Sequence, residues 1–289
     1  MANKTWLRRR YWIRIEPNLG FGGVTVTEYT GLFVRRLLLE CSRYAALALN
    51  KSGGPKPLSV SPLYRVNGRR LEALYPRVRG DGSGVYPVVH EGDTLFFEVG
   101  SEPGYLRVHE ELAECLKGGV ILTIGDLYVR VSLVRDEDVI AYREGGEPPI
   151  RLQPGSKIRL VIASPAQLVT VARPGSPWRI LIPAPFYLFS LNALELHGGS
   201  VSGALASLLR VDETLSPAQS VLSTTNVVRF ILRKGRVEPG LIGYVNVYVL
   251  DAPRESIEEA ERVLAHALVM GVGVSRGIGL GVLWARVAR

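Results

Sequence analysis

A chain of 289 residues of which 47% are hydrophobic can fill one large or two ordinary cores, so disorder is excluded as a starting assumption. Its 35 Lys and Arg against 27 Asp and Glu leave a formal charge of +8, which favours a polyanionic partner such as nucleic acid, although a merely basic soluble protein carries the same excess. Cys41 and Cys115 are too few for a disulfide scaffold and lack the paired spacing of a zinc site, so a reducing cytosol fits best.

Residues 8–16 alternate Arg10, Trp12, Arg14 and Glu16 with Tyr11, Ile13 and Ile15, the period-two mark of a half-buried strand. A loop at 19–23 leads to a helix expected over 27–49, whose stripe of Val34, Leu37, Leu38, Cys41, Ala45 and Ala48 should lie on a sheet. Pro55, Pro57 and Pro62 make the next segment extended. Strands are expected at 94–99 and 120–134, with a helix at 105–116 between them. The first half thus reads strand, helix, two strands, helix, strand, the ferredoxin-like order. Gly145, Gly146, Pro148, Pro149, Pro154 and Gly155 mark a linker, which separates a first domain at 1–145 from a second at 155–289. The second half repeats the order: a strand at 157–163, helical material within 186–209, strands at 227–233 and 243–250, a helix at 254–270 and a strand at 278–287. The fold class expected is therefore α+β, two tandem ferredoxin-like domains.

No signal peptide is expected, because the residues after Arg8, Arg9 and Arg10 alternate rather than run apolar. The most apolar stretch, 180–194, is broken by Pro183 and Pro185 and too short to span a bilayer, so a cytoplasmic protein without a membrane segment is expected. Two Cys and two Met in a chain rich in Arg and Glu suit a thermophile.

Gly271, Gly273, Gly277, Gly279 and Gly281 surround Val274, Ser275 and Arg276, after a helix and before a strand. The order is the reverse of a Rossmann turn, and the Gly-Lys-Ser/Thr close of a Walker loop is missing. Two readings remain: tight packing of the last helix on the last strand, or phosphate contact through loop amides and Arg276. The run Gly-Val-Gly-Val-Ser-Arg-Gly-Ile-Gly-Leu-Gly at 271–281 resembles the C-terminal signature of the RAMP superfamily of CRISPR RNA-binding proteins. Pro55-Lys56-Pro57-Leu58-Ser59-Val60-Ser61-Pro62-Leu63 is similar to the matching region of the repeat-cleaving endoribonucleases in that superfamily. So are Ser164-Pro165, Val169-Thr170-Val171, Arg173 and Gly175, which match the family's strand and hairpin. The resemblance implies two side-by-side ferredoxin-like domains, CRISPR repeat RNA as partner, and metal-independent cleavage by 2′-hydroxyl attack. No metal or cofactor is expected, and the assembly state is left open between monomer and homodimer.

A metal-free RNase must activate the 2′-hydroxyl, stabilise a crowded phosphorane and protonate the leaving 5′-oxygen. In the resembled family a His at the end of the first helical region assists; the matching position here is Asn50, and the family's helical Tyr falls near Val34 or Arg35. Lys56 matches the catalytic-loop Lys, with Lys51 as its nearest substitute. Ser59 or Ser61 could bond a phosphate, and Tyr29 or Tyr44 could orient the nucleophile. Because Asn50 exchanges no proton at neutral pH, the rival reading is a non-catalytic RNA-binding subunit of a CRISPR effector complex. For RNA contact the candidates are Arg36, Arg43 and Asn50 on the first helix, and Arg65, Arg69 and Arg70 in the basic segment at 51–80. Tyr64 and Tyr75 could stack on bases there, or pack the loop. Ser275 and Arg276 in the glycine run, and Arg233 and Lys234 with Arg229 and Arg236, complete the set. His266 shares a polar helix face with Glu259 and Arg262 and is expected to face solvent.

Overall fold

Alternation in the first strand becomes β1, Thr5–Pro17, in which Tyr11, Ile13 and Ile15 turn inward while Arg14 is exposed. The computed structural model describes residues 5–17, 22–50, 56–68, 70–124, 127–176, 178–217 and 224–288, without the side chain of Arg70. After β2 (Gly23–Thr25), the single expected helix is two: α1 (Thr30–Cys41) and α2 (Arg43–Asn50). Ser42 breaks them with an extended backbone and then caps the second helix, its Oγ accepting from Ala45 N at 3.1 Å. Short strands follow: β3 (Leu58–Val60), β4 (Tyr64–Asn67), β5 (Arg70–Ala73), β6 (Arg77–Val78), β7 (Gly84–Val85) and β8 (Val88–His90). The half closes with β9 (Leu95–Ser101), α3 (Arg107–Gly118), β10 (Val120–Ile124) and β11 (Leu127–Arg143).

The neighbours in its antiparallel sheet run β10-β11-β1-β9-β4-β5, with β3 also on β9. Without the added edge strands this is the fourth-first-third-second order of a ferredoxin-like sheet, covered by α1 and α3. One expectation fails here: Cys41 at the end of α1 and Cys115 on α3 are disulfide-bonded, their Cα atoms 5.5 Å apart across 74 residues of sequence. Thiol spacing along the chain carries no sign of this, because the helix pairing brings them together.

The second half consists of β12 (Lys157–Ala166), α4 (Pro185–Leu188), α5 (Ser190–Leu196), α6 (Val201–Thr214), β13 (Leu215–Pro217), β14 (Thr225–Arg233), β15 (Arg236–Val249), α7 (Arg254–Met270) and β16 (Leu283–Ala288). Its sheet order β16-β12-β15-β14 repeats the ferredoxin-like pattern and continues into β6 and β7, so a piece of the first half extends the second sheet. The protein therefore has tandem ferredoxin-like halves, interlocked by Arg77 opposite Phe230 and Val78 opposite Arg229.

Helix α7 is sandwiched between the halves. Ala260, Val263, Leu264 and Ala267 face the second core, while Ala265, Val269 and Met270 pack with Trp6 and Tyr142 of the first half. That two-sided burial corrects the expectation for His266, which is only 3% exposed. Beside the helix, Arg8 spans the seam: its guanidinium donates to the carbonyls of Leu268 (2.5 Å) and Leu283 (2.8 Å) and pairs with Glu98 at 2.5 Å. Glu98 also accepts from Arg10 at 2.7 Å and from Trp284 Nε1 at 3.1 Å. Burial works to raise the pKa of Glu98, but the charges of Arg8 and Arg10 outweigh it and hold the carboxyl below its ordinary value.

Candidate nucleic-acid interface

The glycine run begins where α7 ends, and its backbone is pinned from both halves. Val272 N donates to Gly281 O at 2.7 Å, and Val274 N to Gln167 O at 2.9 Å. Gly281 N reaches Pro165 O at 3.0 Å. Ser164 Oγ donates to Gly279 O at 2.9 Å and accepts from Val282 N at 2.9 Å, so the Ser164-Pro165 segment is the cradle of this loop. Gly279 has φ 94°, and a Cβ there would stand 2.9 Å from Gly31 Cα on α1, so a left-handed backbone and a close approach both demand glycine. The packing reading of the run thus holds.

In front of the loop lies a cleft of about 560 Å³. Lys56 lines it from the first half, Pro174 and Gly175 from the segment after Ser164-Pro165, Leu191 and Glu195 from α5, and residues 273–277 from the loop. All three segments that carry the sequence resemblance meet at this one place. The segment with Pro174 and Gly175 is a loop whose base closes through a two-way bridge of Leu168 and Ile180 rather than a long hairpin.

Arg35 of α1 lies against the same loop, beside the residues that line the cleft. Its Nη2 donates to Leu49 O and to Asn50 Oδ1, each at 3.2 Å. A Cβ on Gly277 would lie 3.7 Å from Arg35 Nη1 and 3.7 Å from Lys56 Cγ, which places both cations against the loop. Burial lowers the pKa of this guanidinium, and among the described residues it has no carboxylate partner. It is a half-buried cation held by neutral oxygens, a setting that a bound anion would complete. Sequence reading passed over Arg35 in favour of Arg36. Consecutive helical residues point about 100° apart, so one of an Arg-Arg pair on a packed helix turns toward its neighbours.

The remaining candidates scatter. Ser275, exposed with φ 63°, lines the cleft. Arg276 also borders it, but is 6% exposed and committed to the Glu195 carboxylate and to Gly271 O. This corrects the expectation of a charge offered to phosphate. Burial raises the pKa of Glu195 despite Arg276, and its other oxygen is 3.7 Å from His266 Nε2. Tyr29 is 1% exposed and donates to Gly279 O at 2.7 Å, so it braces the loop from behind instead of meeting a nucleophile. Ser59 is buried with Oγ on Val269 O at 3.3 Å, and Ser61 is buried with Oγ on Pro62 O at 2.7 Å. Tyr44 lies outside the cleft lining and bonds Arg107 at 3.0 Å.

Away from the cleft, Arg36 is exposed and touches Thr123 Oγ1 at 3.3 Å, while Arg43 is exposed on α2. Arg65 is neutralised by Glu72 at 2.8 Å and Asp93 at 3.2 Å. Arg233 and Lys234 are exposed at the β14–β15 turn. Tyr64 and Tyr75 are core residues rather than base platforms: Tyr64 stacks on Phe96, and Tyr75 packs with Tyr29 and Phe230. Lys51 and Arg69 lie outside the described residues, as does the side chain of Arg70.

The histidines are not at the cleft either. His109 is held by Tyr11 OH at 2.8 Å and Ser101 Oγ at 2.9 Å, and burial pulls its pKa to about 3. Burial, with the charges of Arg276 and Arg262, does the same to His266. His197 lies 3.3 Å from Glu259, and His90 is exposed in β8.

No helix among the described residues is long and apolar enough to cross a membrane. No family model matches the chain, and no curated protein matches it. Solved structures do. Thermus thermophilus Cas6 superposes with a TM-score of 0.59 at 14% identity, covering 99% of this chain and 100% of that one. A structure described as a Cas6-related gene from Pyrococcus furiosus gives 0.58 at 12% identity, covering 98% and 99%. A RAMP protein described as binding different RNA substrates gives 0.54 at 13% identity, covering 98% and 100%. From end to end, this chain has the fold of the Cas6 and RAMP proteins.

Proposed function

We propose that the protein is a metal-independent endoribonuclease that binds CRISPR repeat transcripts and cuts them by 2′-hydroxyl attack, leaving a 2′,3′-cyclic phosphate and a 5′-hydroxyl. The observation that carries the reading is the convergence of Lys56 and the 273–277 backbone on one cleft, with Arg35 against the same loop at Gly277. In the reaction the 2′-oxygen bonds to phosphorus as its proton leaves, and the P–O5′ bond breaks as the 5′-oxygen gains a proton. Lys56 and Arg35 supply charge at the phosphorane's equatorial oxygens, where negative charge grows in the transition state. Asn50, standing where the resembled family has its His, holds Arg35 in place through Oδ1 rather than moving a proton. Catalysis therefore leans on charge stabilisation, with the protons exchanged by Lys56 and solvent.

A second reading is favoured by Asn50 itself: a non-catalytic RNA-binding subunit of a CRISPR effector complex. Labelled repeat RNA incubated with the protein in EDTA separates the two. One defined cut, abolished by a 2′-deoxy substitution at the scissile ribose, supports the enzyme; binding without cutting supports the subunit; absence of binding overturns both.

A further inference from the structure

Four tryptophans occur in the chain, and three of them are engaged. Trp6 stacks on Tyr142, Trp12 bonds Glu137, and Trp284 bonds Glu98. Trp178 is 82% exposed, and among the described residues its ring has no hydrogen-bond, aromatic or cation–π partner. Its place is anchored nonetheless. Two residues beyond it, Ile180 is clamped to Leu168 by backbone bonds of 2.9 and 3.3 Å, and Trp178 N itself donates to Ser176 Oγ at 3.2 Å. Three residues before it, Gly175 forms the wall of the cleft. Three extended residues span at most about 10 Å, so the indole stands within a nucleotide or two of the cleft mouth.

The surroundings select the ligand. Arg173 and Arg179 lie five residues before Trp178 and one after it in the chain, are exposed, and form no ion pair with a carboxylate among the described residues; Arg179 donates only to the neutral carbonyl of Ser176. An exposed aromatic plane in a segment whose nearby cations meet no carboxylate suits an unpaired base and its phosphates. An apolar protein partner would match the ring but oppose the charges. We infer that Trp178 is a stacking platform for an unpaired nucleobase of the RNA strand next to the cleft. The inference rests on the reading that the cleft binds RNA, and it adds that the strand leaving the cleft past Gly175 is single-stranded.

Repeat RNA made uncleavable by a 2′-deoxy substitution at the scissile ribose is titrated into the full chain while tryptophan emission is followed. Inorganic polyphosphate serves as a polyanion without bases. RNA should quench the emission and polyphosphate should not. Trp178→Phe should bind RNA close to wild type but lose most of the quench, whereas Trp178→Ala should bind about tenfold more weakly. Because the ring is exposed, the variants should melt like the wild type, which shows that any loss is local. Wild-type binding without quenching, or unchanged affinity in Trp178→Ala, overturns the platform and leaves RNA binding intact. Self-association lost in Trp178→Ala at constant RNA affinity also overturns it, in favour of a contact between copies. If the wild type binds no repeat RNA, the reading of the cleft falls and the platform with it.

Discussion

Arg8, buried at the seam between the halves, and Arg35, half-buried beside the cleft, differ in what meets their charge. Arg8 is matched by Glu98 and by two carbonyls, with Arg10 and Trp284 closing the network. Arg35 meets carbonyl oxygens and no carboxylate among the described residues. Burial without a counter-charge is costly, which is why the proposed function gives Arg35 an anion from outside as its partner. Arg276 and Arg65, by contrast, are both matched by carboxylates.

The comparison can be broken most forcefully by acid. His109 and His266 have pKa values near 3, below the ordinary 6.5, so the unfolded chain takes up protons that the folded one refuses. Stability is therefore fully present above pH 6.5 and is lost as pH falls from there toward 3, by on the order of 4 kcal/mol for each imidazole. Glu98, also lowered, pushes in the same direction. Denaturant midpoints measured across that window should fall steadily; a flat profile would mean that the imidazoles are solvated. Removing one partner of the seam should come next. Glu98→Gln leaves Arg8 buried without a counter-charge and should cost about 3–5 kcal/mol in unfolding free energy. In a protein that still folds, RNA affinity should stay near wild type.

At the cleft the effect should move from stability to rate. Arg35→Ala and Lys56→Ala should each lower single-turnover cleavage about 100- to 1000-fold while binding weakens far less, since their charge acts mainly in the transition state. An equal loss in both quantities would make either one a plain binding residue. Replacing Cys41 and Cys115 with serine should lower stability by about 2–4 kcal/mol in chemical denaturation and leave cleavage intact. The smallest effect belongs to Arg65→Ala. With its charge already met by Glu72 and Asp93, loss should cost less than about 1 kcal/mol and should not change the salt dependence of RNA binding.

Legibility followed sequence distance. Helix α7 runs over the residues its apolar spacing predicted, and both halves have the expected order of strands and helices. The glycine run and Lys56 were readable because each lies in a short local pattern, and the fold brings them to one cleft. Partners far apart in the chain were not. Arg276 looked like a free cation because Glu195 is 81 residues away, and the cysteines looked like isolated thiols because 74 residues separate them. His266 looked exposed because helical periodicity reports one packed face, whereas α7 is packed on two.

By itself, then, the amino-acid order determined the succession of strands and helices in each half and the glycine-bearing turn, since backbone preference and side-chain periodicity act over a few residues. Which charges are cancelled, which aromatics are covered, and that β6 crosses to the opposite sheet were decided by the tertiary structure. Counter-charges and covering faces come from segments that meet only when the chain has closed on itself, and those meetings set whether an arginine's charge is met by a carboxylate or left to neutral oxygens.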